Sequence, residues 1–336
     1  MKVSHYFEWE EMITGGHKQS VENQRKILEE KGIEYTTEPD LDADILHLNN
    51  MGPKSLYYAR KASREDVPVV IHAHQTAEDF KDSFAFSNIL ARPMKPYLKY
   101  AYSFADLIIS PSEHNKEVIE QYTDVPKKVI SNGFNPEMLE GFEDLREEYL
   151  EKYDLEPPVV FMVGHVIKRK GLESFIETAR RMPDTDFVWF GFLNPSGEDG
   201  FLDSLLQSRD TKKLVESAPE NCTFTGYIDD IRGAYAAGDI FFFPTKNENE
   251  GMALLEAMAT RNPPVVRDIE TFQWLDHGEN CLKAEEDFAG EIEKMKDSEM
   301  RKKISENAKR KSREFELQKI GDELEEAYRD LLKTSD

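Results

Sequence analysis

The sequence predicts an α/β protein built from two doubly wound domains, each a parallel sheet flanked by helices. Three observations carry this. Short β-rich runs alternate with longer helical periods along most of the 336 residues. The runs are continuously apolar, as in Val67-Pro-Val-Val-Ile-His72 and Ile240-Phe-Phe-Phe243, which suits strands covered on both faces. The alternation stops at an acid-rich stretch, Gly141–Pro158, that ends in two prolines, and then starts again. A chain of this length also exceeds one ordinary domain.

Taken in order, the first half places strands at Lys2–Tyr6, Ile33–Tyr35, Asp44–Leu48, Val67–His72, Leu107–Ser110 and Lys128–Ser131. Helical periods fall between them at His17–Lys31, Pro53–Arg64, Arg92–Phe104 and Glu113–Gln121. The second half places strands at Val159–Val163, Asp186–Gly191, Cys222–Thr225, Asp239–Phe243 and Val265–Arg267. Its helices are Gly171–Met182, Thr211–Ser217, Asp230–Ala236, Gly251–Thr260 and Glu270–Asp276, and the tail Glu285–Lys333 reads as almost wholly helical. The domains are therefore set at 1–156 and 157–314, with 315–336 as a terminal helix packing back on the first. Two such domains place a ligand cleft between them.

Charge narrows the function. The chain has 66 acids against 43 bases, a net −23, which argues against a general nucleic-acid binder because phosphate binding needs a positive field. Two cysteines, Cys222 and Cys281, leave no disulfide framework and no four-thiolate zinc site. No apolar run is long enough to span a membrane, and the N-terminus carries Glu8, Glu10 and Glu11 where an export signal needs bases and then apolar residues. A reduced, cytoplasmic protein is expected.

The strongest chemical signal is Pro244-Thr-Lys-Asn-Glu248-Asn-Glu250-Gly251-Met252-Ala-Leu-Leu-Glu256. An apolar strand runs into a polar turn and then a helix, whose free N–H groups and dipole favour an anion. Gly251 permits close backbone approach. Glu248 and Glu256 bracket that anion site with two carboxylates able to accept hydroxyls, although both would also serve simply to favour a helix start. The second signal, Gly164-His-Val-Ile-Lys168-Arg169-Lys170-Gly171, puts three cations ahead of a helix, suited to a diphosphate. In the first half, Gly15-Gly16-His17 precedes a helix, and His72-Ala-His74 ends a strand, the edge where open sheets hold ligands. Asp40-Leu-Asp42-Ala-Asp44 reads as an acidic turn, and no metal is expected.

These motifs, in this order, resemble glycosyltransferase family 4, which has the GT-B fold of two Rossmann-like domains. Glu248…Glu256 is similar to the family's Glu-x7-Glu, with Gly251-Met252 where its inner Gly-Leu stands and Asn249 in place of the commoner Gly. The resemblance implies that Glu248 faces the donor sugar, Glu256 the ribose, and Arg169 and Lys170 the diphosphate, with Gly164 beside them. It implies that Gly15 and Gly16 form a loop closing on the donor, that His74 is the active-site histidine, and that His72 is structural. His165 stands where many members have Arg. Asn132-Gly133 matches the family's turn at the end of the first domain. Downstream, Arg261 replaces the glycine that normally ends the helix, and Asn262 is expected to take the left-handed conformation instead. The implied reaction retains configuration, by same-face attack with the leaving phosphate accepting the proton, and uses no cofactor.

The acceptor side is the exception to the acidity. Lys81–Phe104 has four bases and one acid, interleaved with aromatic residues, and suits a lipid interface or an ordinary domain helix with buried rings. His72–Phe80 and Asp268–Gly278 look most like diacylglycerol glucosyltransferases within the family. The expectation is a peripheral, metal-independent hexosyltransferase taking UDP-glucose to diacylglycerol or a related lipid, with no nucleic-acid partner. The rivals are a transferase with a soluble glycan acceptor and a non-enzymatic two-domain sugar-binding protein. The absent export signal and the Arg169–Lys170 pair count against the latter.

Overall fold

In the computed structural model, residues 1–80, 87–193 and 209–335 are described. They form two compact units. One holds the chain up to Phe134 and again from Phe315, and the other holds Asn135 to Glu314.

In the first unit a parallel sheet has the order β2-β1-β3-β4-β5-β6. Its strands are β1 (Lys2–Tyr6), β2 (Glu34–Thr36), β3 (Ile45–Leu48), β4 (Val69–His72), β5 (Leu107–Ser110) and β6 (Lys127–Val129). Order reverses between β1 and β3, and ligands of doubly wound sheets collect at the carboxyl ends around such a point. One face is sealed by helix Gly16–Glu30 and by the terminal helix Leu317–Ser335, whose Leu317, Ile320, Leu324 and Tyr328 share a core with Val3, Ile27, Ile45 and Val70. The other face packs Leu46, Leu48, Val69 and Ile71 against Ala59, Leu98 and Tyr102. Buried Glu8 caps helix Pro53–Ala62, its carboxylate accepting from Lys54 N at 3.1 Å and Ser55 N at 2.6 Å.

The second unit repeats the plan with the order β12-β11-β10-β7-β8-β9. Its strands are β7 (Val160–Val163), β8 (Phe187–Phe190), β9 (Cys222–Gly226), β10 (Ile240–Phe243), β11 (Pro264–Arg267) and β12 (Leu282–Ala284). The three phenylalanines of β10 show why a continuous apolar run was needed. Phe242 faces Phe175 and Phe187 on one side of the sheet. Phe241 and Phe243 face Phe161 and Phe272 on the other. Here the order reverses between β7 and β10, so the segments following those two strands meet.

Four expectations are corrected. The division at 156 moves to Phe134, because helix Arg146–Tyr153 is tied to the second unit: Arg146 donates to Ala236 O at 2.7 Å and to Asp239 at 2.8 Å, and Tyr149 Oη donates to Asp230 O at 3.1 Å. Glu270–Asp276 is no helix beyond the 3-10 turn Glu270–Phe272. The edge strand β12 was not foreseen, since Leu282-Lys-Ala284 has no apolar run to mark it. Arg261, not Asn262, takes the left-handed conformation, with φ 61°.

Candidate functional site

The segments after β7 and β10 are stitched together by their backbones. Lys168–Lys170 forms a 3-10 turn that ends at Gly171, φ 84°. A β-carbon on Gly171 would stand 2.2 Å from Pro244 O, so only glycine lets the two loops close. Lys246 N then donates to Arg169 O at 2.8 Å. Gly164, φ 137°, lies so close to Gly191 that a β-carbon on the latter would meet Gly164 O at 2.0 Å.

That stitching places three of the expected residues in one cluster. Glu248, its side chain 8% exposed, presents Oε1 to Lys170 Nζ at 2.5 Å and to Arg169 Nη1 at 3.7 Å. Thr245 Oγ1 donates to the same oxygen at 2.8 Å, and Arg169 Nη1 donates to Asn247 O at 2.7 Å. Lys170 Nζ also sits 5.2 Å from the Phe243 ring centre, a cation–π distance. Burial pushes the Glu248 carboxyl up, but the charges of Lys170 and Arg169 and the donated hydrogen bonds outweigh it and hold the group below its ordinary value. The carboxylate is thus ionised in a nearly dry place. Thr245 was not foreseen. Its only trace in the sequence is a polar residue following an apolar strand.

Helix Met252–Ala259 begins at Gly251, φ 97°, beside this cluster in sequence, with Met252 buried as its first residue. Glu256, on the same helix, accepts at Oε2 from Tyr235 Oη at 2.5 Å. Burial raises the Glu256 carboxyl to about 7, against the smaller opposing pull of the Tyr235 bond. His165, after Gly164, is kept neutral by burial and then by Lys170 and Arg169, down to about 4.

In the first unit Gly15, φ 74°, caps the helix that starts at Gly16. His17 then bonds Asn49 O at 2.7 Å and lies 4.3 Å from the His74 ring. His74 stacks on His72 at 4.2 Å and 2°, and His72 stacks in turn on His47 at 5.7 Å and 1°. His5 meets His47 edge-on at 4.9 Å, and Tyr328 Oη reaches His47 Nδ1 at 2.5 Å. His74 therefore lies within a row of five imidazoles that runs from His5 through His47, His72 and His74 to His17. His72 is a buried member of that row, and His5 and His47 were not singled out from the sequence. His5 on β1 and His47 on β3 stand in direct register, a pairing made by the sheet and marked by no spacing in the sequence.

Asp40 bonds Lys2 Nζ at 2.7 Å and accepts from Asp42 N at 2.9 Å, an acidic turn. Among the described residues no group of three or more His, Cys, Asp or Glu side chains is placed to hold a metal, and no helix is long and apolar enough to cross a membrane. In the segment Lys81–Phe104, residues 81–86 and the side chains up to Arg92 lie outside the described residues. The remainder, in helix Ser87–Tyr102 and just beyond it, turns mostly inward. Leu98 and Tyr102 are core, Met94, Tyr97 and Phe104 pack against it, and Lys95 pairs with Glu78 at 2.9 Å. Lys99 and Tyr100 are exposed.

Comparison with known proteins bears on the family and the fold. The model for glycosyl transferases group 1 matches residues 146–311, and that for glycosyltransferase family 4 matches residues 23–138. The chain is 34% identical over 343 residues to the processive diacylglycerol alpha-glucosyltransferase of Acholeplasma laidlawii, covering 99% of each. It is 31% identical over 162 residues to the alpha-galactosylglucosyldiacylglycerol synthase of Streptococcus pneumoniae, covering 47% of this chain and 41% of that one. Among solved structures, Anabaena HepE in complex with UDP-glucose superposes with a TM-score of 0.76 at 17% identity, over 98% of this chain and 100% of that one. The two doubly wound units are those of the GT-B fold, and the chain belongs to glycosyltransferase family 4.

Proposed function

We propose that this glycosyltransferase moves glucose from UDP-glucose to a diacylglycerol-type lipid with retention of configuration. The observation that carries the reading is the Glu248–Lys170–Arg169 cluster at the switch point of the second sheet. The full-length similarity to a diacylglycerol glucosyltransferase supports the choice of sugar and acceptor. The HepE complex supports a uridine donor.

In this reading Lys170, Arg169 and the free N–H groups at the start of helix Met252–Ala259 neutralise the charge that grows on the departing diphosphate. Glu248 accepts hydroxyls of the sugar, and Glu256 accepts those of the ribose. Gly164 leaves room for the phosphates. Gly15, Gly16 and His74 serve the acceptor side. A nucleophilic carboxylate is not assigned; the acceptor attacks the face that the diphosphate leaves, and a phosphate oxygen takes its proton. No divalent cation is needed, because the protein's own cations supply the charge, and no resident cofactor takes part. The enzyme works as a peripheral protein at the cytoplasmic membrane face, with Lys99 and Tyr100 available to lipid.

The test is transfer from UDP-glucose to diacylglycerol in vesicles, with EDTA present, read by mass spectrometry. Glu248→Ala should lower kcat by about 10²–10³-fold. Undiminished product from that variant would remove Glu248 from the site. A lipid-free oligosaccharide glycosylated in place of diacylglycerol would replace the acceptor.

A further inference from the structure

We propose that Glu248 is an internal counter-ion that competes with the donor's diphosphate for Lys170, and so separates intact donor from spent nucleotide. The inference rests on the site assignment just given and adds a second role to the residue.

The geometry is unusual for a hydroxyl acceptor. One oxygen, Oε1, takes Lys170 at 2.5 Å, Arg169 at 3.7 Å and the Thr245 hydroxyl at 2.8 Å. The same two cations are those assigned to the diphosphate. A buried ion pair is stable only while each charge has its partner, and removing one partner is far more costly than exchanging it. A diphosphate drawing Lys170 away leaves Glu248 buried at 8% exposure without its nearest cation. An intact donor compensates, because the sugar hydroxyls donate to the vacated oxygen. After transfer the sugar is gone. Glu248 then reclaims Lys170, and the nucleotide loses its strongest counter-charge. Site occupancy by the diphosphate is thereby made conditional on an attached sugar, which favours product release.

Thr245 supplies an opposing handle. Its hydroxyl carries part of the burden on Oε1. Without it the carboxylate leans more heavily on Lys170, and diphosphate binding should weaken. The two neighbouring substitutions therefore act in opposite directions, which a generally loosened site would not produce.

The experiment is calorimetric titration of the full chain with UDP, UDP-glucose and pyrophosphate, the last carrying neither base nor sugar. Glu248→Gln should bind UDP and pyrophosphate about five- to tenfold tighter than the natural chain and UDP-glucose no tighter. Thr245→Val should bind UDP about two- to threefold weaker. Unchanged or weaker UDP and pyrophosphate binding by Glu248→Gln overturns the proposal, as does a shift of both variants in the same direction. Should Glu248→Gln not fold, Thr245→Val decides alone: weaker UDP binding upholds the proposal, and unchanged or tighter binding overturns it. Failure of the functional reading looks different. Full transfer activity in Glu248→Gln removes the sugar role while the titrations still decide the counter-ion. Tighter pyrophosphate binding with no UDP binding at all replaces the base and leaves the counter-ion standing.

Discussion

Glu256 carries its charge poorly in the empty protein. Burial raises its carboxyl to about 7, and the Tyr235 hydroxyl draws it only part of the way back. A ribose hydroxyl pair is bound best by the ionised form. Donor binding should therefore release a fraction of a proton near neutrality, seen as a binding enthalpy that changes with the buffer. The donor KM should rise as the pH falls below about 7, approaching tenfold per pH unit, and Glu256→Gln should show a raised KM without that slope. Glu248 behaves oppositely. Its two cations keep it ionised, so its role should persist through this range. The sequence marked both glutamates by their spacing, yet nothing in it separated their charge states. That difference comes from Lys170 and Arg169, which stand beside Glu248 in space but 78 and 79 residues away along the chain, while burial is the leading influence on Glu256.

At the scale of elements, helix Met252–Ala259 ends on a residue poorly suited to its backbone. Arg261 holds φ 61° so that Asn262 N can close back on Ala257 O at 2.8 Å. The left-handed conformation costs a residue with a Cβ about 1 kcal/mol relative to glycine. Asn262 cannot take over, because its side chain is committed to Tyr235 O at 2.9 Å and to Thr260 at 3.1 Å. Arg261→Gly should raise stability by about 0.5–1 kcal/mol, measured by urea unfolding, since the Glu306 contact it loses is half exposed and worth little. Elements with a continuous apolar run or a capped helical period were legible along the chain. Leu107–Ser110 and Lys2–Tyr6 stand where the pattern put them. Elements held by partners from elsewhere were not. Strand Leu282–Ala284 exists because β11 offers a free edge, and the rings of Tyr97, Tyr102 and Phe104 face inward because β4 and helix Pro53–Ala62 share their core. A basic-aromatic stretch reads the same in either setting.

For the whole molecule, the row of imidazoles sets a limit on acid tolerance. His5 and His17 are lowered to about 4 and His72 to about 3, and His47 and His74 lie well below the ordinary value, in each case through burial first. At His5 the Gln24 hydrogen bond offsets part of that burial, with Arg25 lowering and Glu10 raising it by less, and neighbouring imidazoles lower His47, His72 and His74 further. The native state leaves these five bases neutral while the unfolded chain protonates them near 6.5. Stability contributed by them is full above that value and is lost as the pH falls below it. Unfolding below pH 6.5 should take up protons on these histidines, so stability should fall with pH there, and His72→Phe should make that fall shallower. Urea midpoints across this range measure the slope. The same row bears on synthesis. Tyr328 caps His47, and Leu317, Ile320 and Leu324 close the face over Val3 and Ile45, so the earlier-made unit lacks part of its interior until this later-made helix arrives. The second unit, Asn135 to Glu314, is translated entire before that moment. Order of manufacture and order of completion are thus reversed. On the ribosome the earlier domain must wait, with its apolar sheet face and its histidines open to water, while the later one closes first.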